Sequence, residues 1–209
     1  MKRLILLLAL LPCVSYAGTF TQIREGLYEF NGPMYAADVL AYKRLFAENT
    51  EMEIVVDSPG GSLQAGIDMA DWTRQYNFKV RLTAKECYSA AALWVSADPD
   101  FRYYDKDALL AWHIPWLSRG GTPQEQTLGE TSIMAYDLGS AMNRSLGEGR
   151  TRPLFQDMCD ARDWKGINSF VVWKRDEPTR IGLWTETGWE WKDKSPSSMV
   201  RLDPRYIKP

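Results

Sequence analysis

The stretch EMEIVVDSPGGSLQAGIDMADWTRQY, residues 51–76, decides how this chain is organised. Glu53 to Val56 is a short run of strand-forming residues that stops at Pro59-Gly60-Gly61, a triplet that favours a turn over regular structure. Beyond the turn, Leu63, Ile67, Ala70 and Trp72 or Thr73 recur at helical spacing, so the segment reads as strand, turn, helix.

The same alternation extends to both sides. Upstream, TFTQIREGLYEFN (19–31) carries β-formers up to a Gly-Pro turn, and MYAADVLAYKRLFAEN (34–49) has helical periodicity. Downstream, FKVRLTA (78–84) is a strand, SAAALWVSA (89–97) a helix of small residues, and ALLAWHI (108–114) another strand. Strands alternating with helices predict an α/β fold with largely parallel pairing, because parallel neighbours need a crossover between them. After a polar loop, SRGGTPQEQTLGE (118–130), come helices over 131–146 and 151–164, the second with Pro153 in its first turn. FVVWKRDE (170–177) and RIGLWTETGWEWKD (180–193) then read as strands or a hairpin. Trp173, Trp184, Trp189 and Trp191 there fit cross-strand core pairs or an oligomer contact better than a ligand platform.

Residues 1–17, MKRLILLLALLPCVSYA, combine basic Lys2 and Arg3, an apolar run from Leu4 to Leu11 and small residues Ser15 and Ala17. This is a secretory signal pattern with cleavage expected after Ala17. The expected product is periplasmic or secreted and has no membrane span once the signal is gone. The expected division is signal peptide 1–17, α/β domain 18–168 and a Trp-rich hairpin extension and tail 169–209. Removing Lys2 and Arg3 takes the formal net charge from −2 to −4, against the basic footprint of a nucleic-acid binder. Cys13 leaves with the signal, so Cys87 and Cys159 remain as a pair in an oxidising compartment. Their separation of 72 residues matches no familiar metal site, and a long-range disulfide is expected.

The chemistry-bearing residues sit at strand ends. Ser89 follows one strand and opens a helix, where first-turn amides favour negative charge. It reads either as a nucleophile or as an ordinary N-cap. His113, the one histidine of the chain, ends another strand. The glycines after Ser58 can present N–H groups to an oxyanion. Ligands of α/β proteins bind at the carboxyl ends of parallel strands, where all three converge.

With their spacing, DSPGGSLQAGIDMADW, ECYSAA and AWH resemble the proteolytic subunit of the Clp protease and its exported relatives in the Clp/crotonase superfamily. Gly61 to Ser89 is 28 residues and Ser89 to His113 is 24. The resemblance runs over about residues 19–164 and implies a spiral of β-β-α units. It implies Ser89 as nucleophile, His113 as general base, and the N–H groups of Gly61 and Ala90 as oxyanion hole. It also implies that Gly60, Gly120 and Gly121 pair with an extended peptide, as in strand addition. The third triad member falls on Asp163, fifty residues beyond His113, with Asp160 and Asp157 as alternatives. Homo-oligomerisation enters through the resemblance alone.

The expected function is therefore an exported serine peptidase acting on short or unfolded chains, with no metal or organic cofactor and no ATP-driven unfoldase. The alternative is a non-catalytic module of the same fold that binds or assembles with a protein. A Ser89 hydroxyl turned back onto its own helix as a cap would favour that alternative.

Overall fold

The computed structural model describes residues 17–115, 118–119, 122–123, 128–165, 169–175, 180–185 and 188–191. β1 (Thr19–Arg24) and β2 (Leu27–Asn31) form an antiparallel pair around Gly26, whose φ of +70° suits the turn. α1 (Ala36–Glu48), β3 (Met52–Ser58), α2 (Leu63–Gln75), β4 (Val80–Tyr88), α3 (Ala90–Val95) and β6 (Leu109–Trp112) follow, with the two-residue β5 (Arg102–Tyr103) beside β4. A small β7–β8 pair (Ser118–Arg119, Thr122–Pro123) precedes α4 (Leu128–Leu146) and α5 (Glu148–Lys165). β9 (Ser169–Lys174), β10 (Arg180–Thr185) and β11 (Gly188–Trp191) close the described chain.

The fold is mixed α/β with one main sheet, ordered β1-β2-β3-β4-β6-β9-β10-β11. Pairing is parallel from β2 to β6 and antiparallel outside that block. β9 extends the same sheet antiparallel to β6, β10 and β11 continue it by antiparallel pairing, and Trp173 on β9 is buried against Trp112 on β6, ring centroids 5.5 Å apart. The side chains of Trp184, Trp189 and Trp191 lie outside the described residues, as do the signal segment 1–16 and the tail from 192. No described helix is long and apolar enough to cross a membrane.

The core lies between the helices and one face of the sheet. Phe30, Tyr42, Phe46 and Trp94 stack edge-on at its centre. A polar junction inside it is Thr73. Its hydroxyl donates to Met69 O at 2.8 Å, which uses its only proton. It must therefore accept from both Tyr42 Oη–H (2.8 Å) and Trp94 Nε1–H (3.1 Å).

A bulge separates the regular part of β4 from its end. Val56 pairs with Ala84 but Ser58 pairs with Cys87, so two steps along β3 match three along β4. Ala84 and Cys87 consequently both face the core, while Glu86 and Tyr88 come to the opposite face beside the cleft described below. Cys87 Sγ–H donates to Val56 O at 3.1 Å.

That geometry corrects the expected Cys87–Cys159 disulfide, which is not formed in the structure. Cys87 is turned toward β3. α5, which carries Cys159, packs on β9 and β10, across β6 from β4.

Thr73→Val keeps the volume of Thr73 but leaves the buried Tyr42 hydroxyl and Trp94 N–H without their acceptor. The expected loss is about 3 kcal/mol in urea unfolding, partly recovered by adding Tyr42→Phe. A loss below roughly 0.5 kcal/mol would show that this junction does not hold the core together.

Candidate functional site

The cleft opens at the carboxyl ends of β3, β4 and β6, as expected for parallel strands feeding helices. It has a volume of ≈ 1070 Å³, and Ser89, Ala90, Gly60, Gly61 and His113 all line it. Three strand ends thus bring together residues that lie up to 53 positions apart in the chain.

Ser89 is held by both neighbours. Its N–H donates to Ala111 O at 2.7 Å, extending the β4–β6 ladder one residue past the end of β4. Its carbonyl accepts from Leu93 N–H at 3.2 Å, beginning α3. Meeting both demands puts Ser89 at φ 54°, ψ −120°, the one non-glycine residue with positive φ among those described. Such a backbone costs an L-residue about 1–3 kcal/mol. A strand-to-helix elbow of this kind presents the nucleophilic serine in α/β hydrolases. The hydroxyl makes no capping bond to α3, so the N-cap reading of Ser89 does not hold.

The glycines after β3 are required by close approach. A Cβ on Gly60, whose φ is +83°, would lie 2.5 Å from Tyr88 O, 2.9 Å from Ser89 Cβ and 3.0 Å from Ala90 N. Gly60 therefore lies directly against the elbow. Met34 bridges to Gly61 in parallel fashion, its N–H donating to Gly60 O (2.8 Å) and its O accepting from Ser62 N–H (2.9 Å). In a parallel bridge the central residue's own N–H faces the other way, so the Gly61 amide is turned away from Met34. Ser58 fixes the turn: its hydroxyl donates to Gly32 O (2.7 Å) and accepts from Gly60 N–H (3.1 Å). Behind the elbow, Gly66 on α2 leaves room for Ala90, whose Cβ and O would be 2.8 and 2.9 Å from an added methyl.

His113 follows the last residue of β6 and is buried, with its ring edge-on to Phe170 on β9 at 4.9 Å. Its Nδ1 lies 2.8 Å from Ile114 O. A carbonyl only accepts, so Nδ1 carries the proton and neutral His113 keeps its lone pair on Nε2. Burial pushes the pKa of the ring down to about 4, the Ile114 bond opposing it, so the ring is neutral at pH 7.

The aspartates separate by environment. Asp157 is wholly buried on α5, whereas Asp160 is bonded to Gln156 Nε2 at 3.0 Å on the exposed side. Asp163 lies on the last turns of α5, and its side chain is outside the described residues, as are Gly120 and Gly121. The Ile114 carbonyl, as a partner of His113, leaves no mark in the sequence, because any residue type supplies one. Phe170 and the cleft-facing Asp57 and Glu86 were also missed. The bulge that turns Glu86 to this face has no residue signature.

No family model matches the sequence, and no curated protein matches it. Among solved structures, an alanine mutant of the 1510-N membrane-bound stomatin-specific protease is similar with a TM-score of 0.44 at 13% identity. The match covers 55% of this chain and 60% of that one. At that extent it assigns neither fold family nor activity.

Ser89→Gly and Ser89→Ala both remove the hydroxyl, but only glycine relieves the positive φ. Ser89→Gly is expected to be the more stable by about 1 kcal/mol in chemical denaturation, despite glycine's greater chain entropy. An alanine variant as stable as the glycine variant or more so would mean that Ser89 is unstrained.

Proposed function

We propose that this protein is a serine hydrolase of Clp-like fold, acting as a peptidase on short or unfolded chains through an acyl-enzyme on Ser89. The observation that carries the reading is the strained elbow at Ser89, uncapped and facing one cleft with a neutral histidine whose Nδ1 proton is already committed. Strain of this kind persists where the surrounding structure holds a residue for use.

In this mechanism, Nε2 of His113 takes the Ser89 Oγ proton as Oγ attacks the substrate carbonyl carbon. The N–H groups of Gly61 and Ala90 hold the oxyanion; as a first-turn amide, Ala90 N–H has no acceptor within α3. Collapse breaks the C–N bond, and the amine leaves with the proton from Nε2. Water then attacks the acyl carbon while Nε2 takes its proton, releasing the acid and restoring Ser89.

Throughout, Nδ1–H stays on Ile114 O. A neutral carbonyl stabilises the imidazolium less than a carboxylate does, and Asp163 is the residue proposed to add that charge. Gly60, with Gly120 and Gly121, is proposed to pair with the backbone of an extended substrate. Secretion to the periplasm or beyond belongs to the same reading, as does assembly into a homo-oligomer.

The test is turnover of fluorogenic peptides and activated esters by the mature protein, with Ser89→Ala as the inactive reference. The base must be neutral, so kcat/KM is expected to rise as pH increases through about 4 and to level off above it. Ser89-dependent turnover with its acid limb near an ordinary histidine value of ~6.5 would contradict the role given to buried His113. Turnover unaffected by Ser89→Ala would overturn the mechanism.

A further inference from the structure

One wall of the cleft carries charge of a single sign. Asp57 at the end of β3 and Glu86 after the β4 bulge are the charged side chains lining it, and neither makes an ion pair among the described residues. The adjacent cation, Lys85, is occupied: its Nζ lies 2.5 Å from Glu29 Oε1 and 5.0 Å from the centre of the Tyr104 ring. Tyr88 donates its hydroxyl to Glu86 Oε2 at 2.8 Å, which fixes that carboxylate.

The same wall is aromatic. Tyr88 and Phe170 meet edge-to-face, centroids 6.0 Å apart, and both line the cleft with Ser89 and His113. Carboxylates beside ring faces suit a cation that carries an apolar stem, as lysine and arginine side chains do. Burial holds the Asp57 carboxyl above its usual range, and the neighbouring Glu86 and Glu29 push it the same way against Lys85. The wall is therefore short of positive charge. Across the cleft, Met134, Leu138 and Trp112 offer an apolar wall among the described residues.

We infer that the cleft selects peptides bearing a lysine or arginine next to the bond that is cut, its side chain lying along the Tyr88–Phe170 ring pair with its charge on Asp57 and Glu86. This rests on the hydrolase reading of the site and names its substrate class. It concerns the wall formed by β3, β4 and β9, where the core side of the sheet contributes nothing.

The experiment is a set of fluorogenic peptides identical except for lysine, norleucine or glutamate at each position flanking the scissile bond. At one position lysine is expected to exceed glutamate in kcat/KM by ~10-fold or more, a ratio that shrinks several-fold in Glu86→Gln and Asp57→Asn and falls with added salt. Cleavage with no charge preference, or a preference unchanged in both variants, would overturn the inference and leave the hydrolase standing. If no peptide is cleaved, the Ser89→Ala protein is tested for binding the lysine and glutamate peptides by fluorescence anisotropy. Tighter binding of the lysine peptide that is lost in Glu86→Gln supports the inference without the chemistry. Equal binding overturns it.

Discussion

The cleft depends on a single hydrogen bond carried past the end of a strand. Ser89 N–H reaches Ala111 O, so the β4–β6 ladder continues into the first residue of the next connection while the chain is already turning into α3. Only a positive φ reconciles the two, and a serine stands where glycine would be easier. In the register that bond continues, Tyr88 stands opposite Ala111 and Ser89 level with Trp112, the residue before His113. Pairing register, and not sequence proximity, is what brings Ser89 and His113 to one edge.

Supporting contacts are arranged around that residue in layers. Gly60 and Gly66 press on the elbow from two sides, and neither site has room for a methyl group. Ser58 pins the glycine turn, and Met34 holds Gly61 so that its amide is turned outward. Farther in, Thr73 ties α2 to α1 and α3 through Tyr42 and Trp94, fixing the helices on which the turn and the elbow are mounted. A core this closely packed transmits small displacements, so a methyl placed at depth is felt at the cleft.

Much of this was legible in residues 51–114. The strand-turn-helix rhythm, the small residues after Ser89 and the position of His113 at a strand end all follow from side-chain size and periodicity, and the structure has them there. What was not legible is backbone or long-range. The bulge in β4 depends on a register that no local pattern encodes, and it reverses the faces of Glu86 and Cys87. The disulfide is absent on grounds of topology: two cysteines can be counted in a sequence, but the strands between them cannot. The tautomer of His113 is set by a main-chain carbonyl, and the acidic wall is assembled from β3 and β4 with rings from β4 and β9.

A serine held in this backbone beside a neutral imidazole should be chemically distinct from any surface hydroxyl. The direct measurement is reaction of the folded mature protein with a fluorophosphonate, followed by peptide mapping, in wild type and His113→Ala. The account predicts one adduct, on Ser89, lost when His113 is replaced. A folded protein that takes no adduct, or takes it at a serine other than 89, would contradict it.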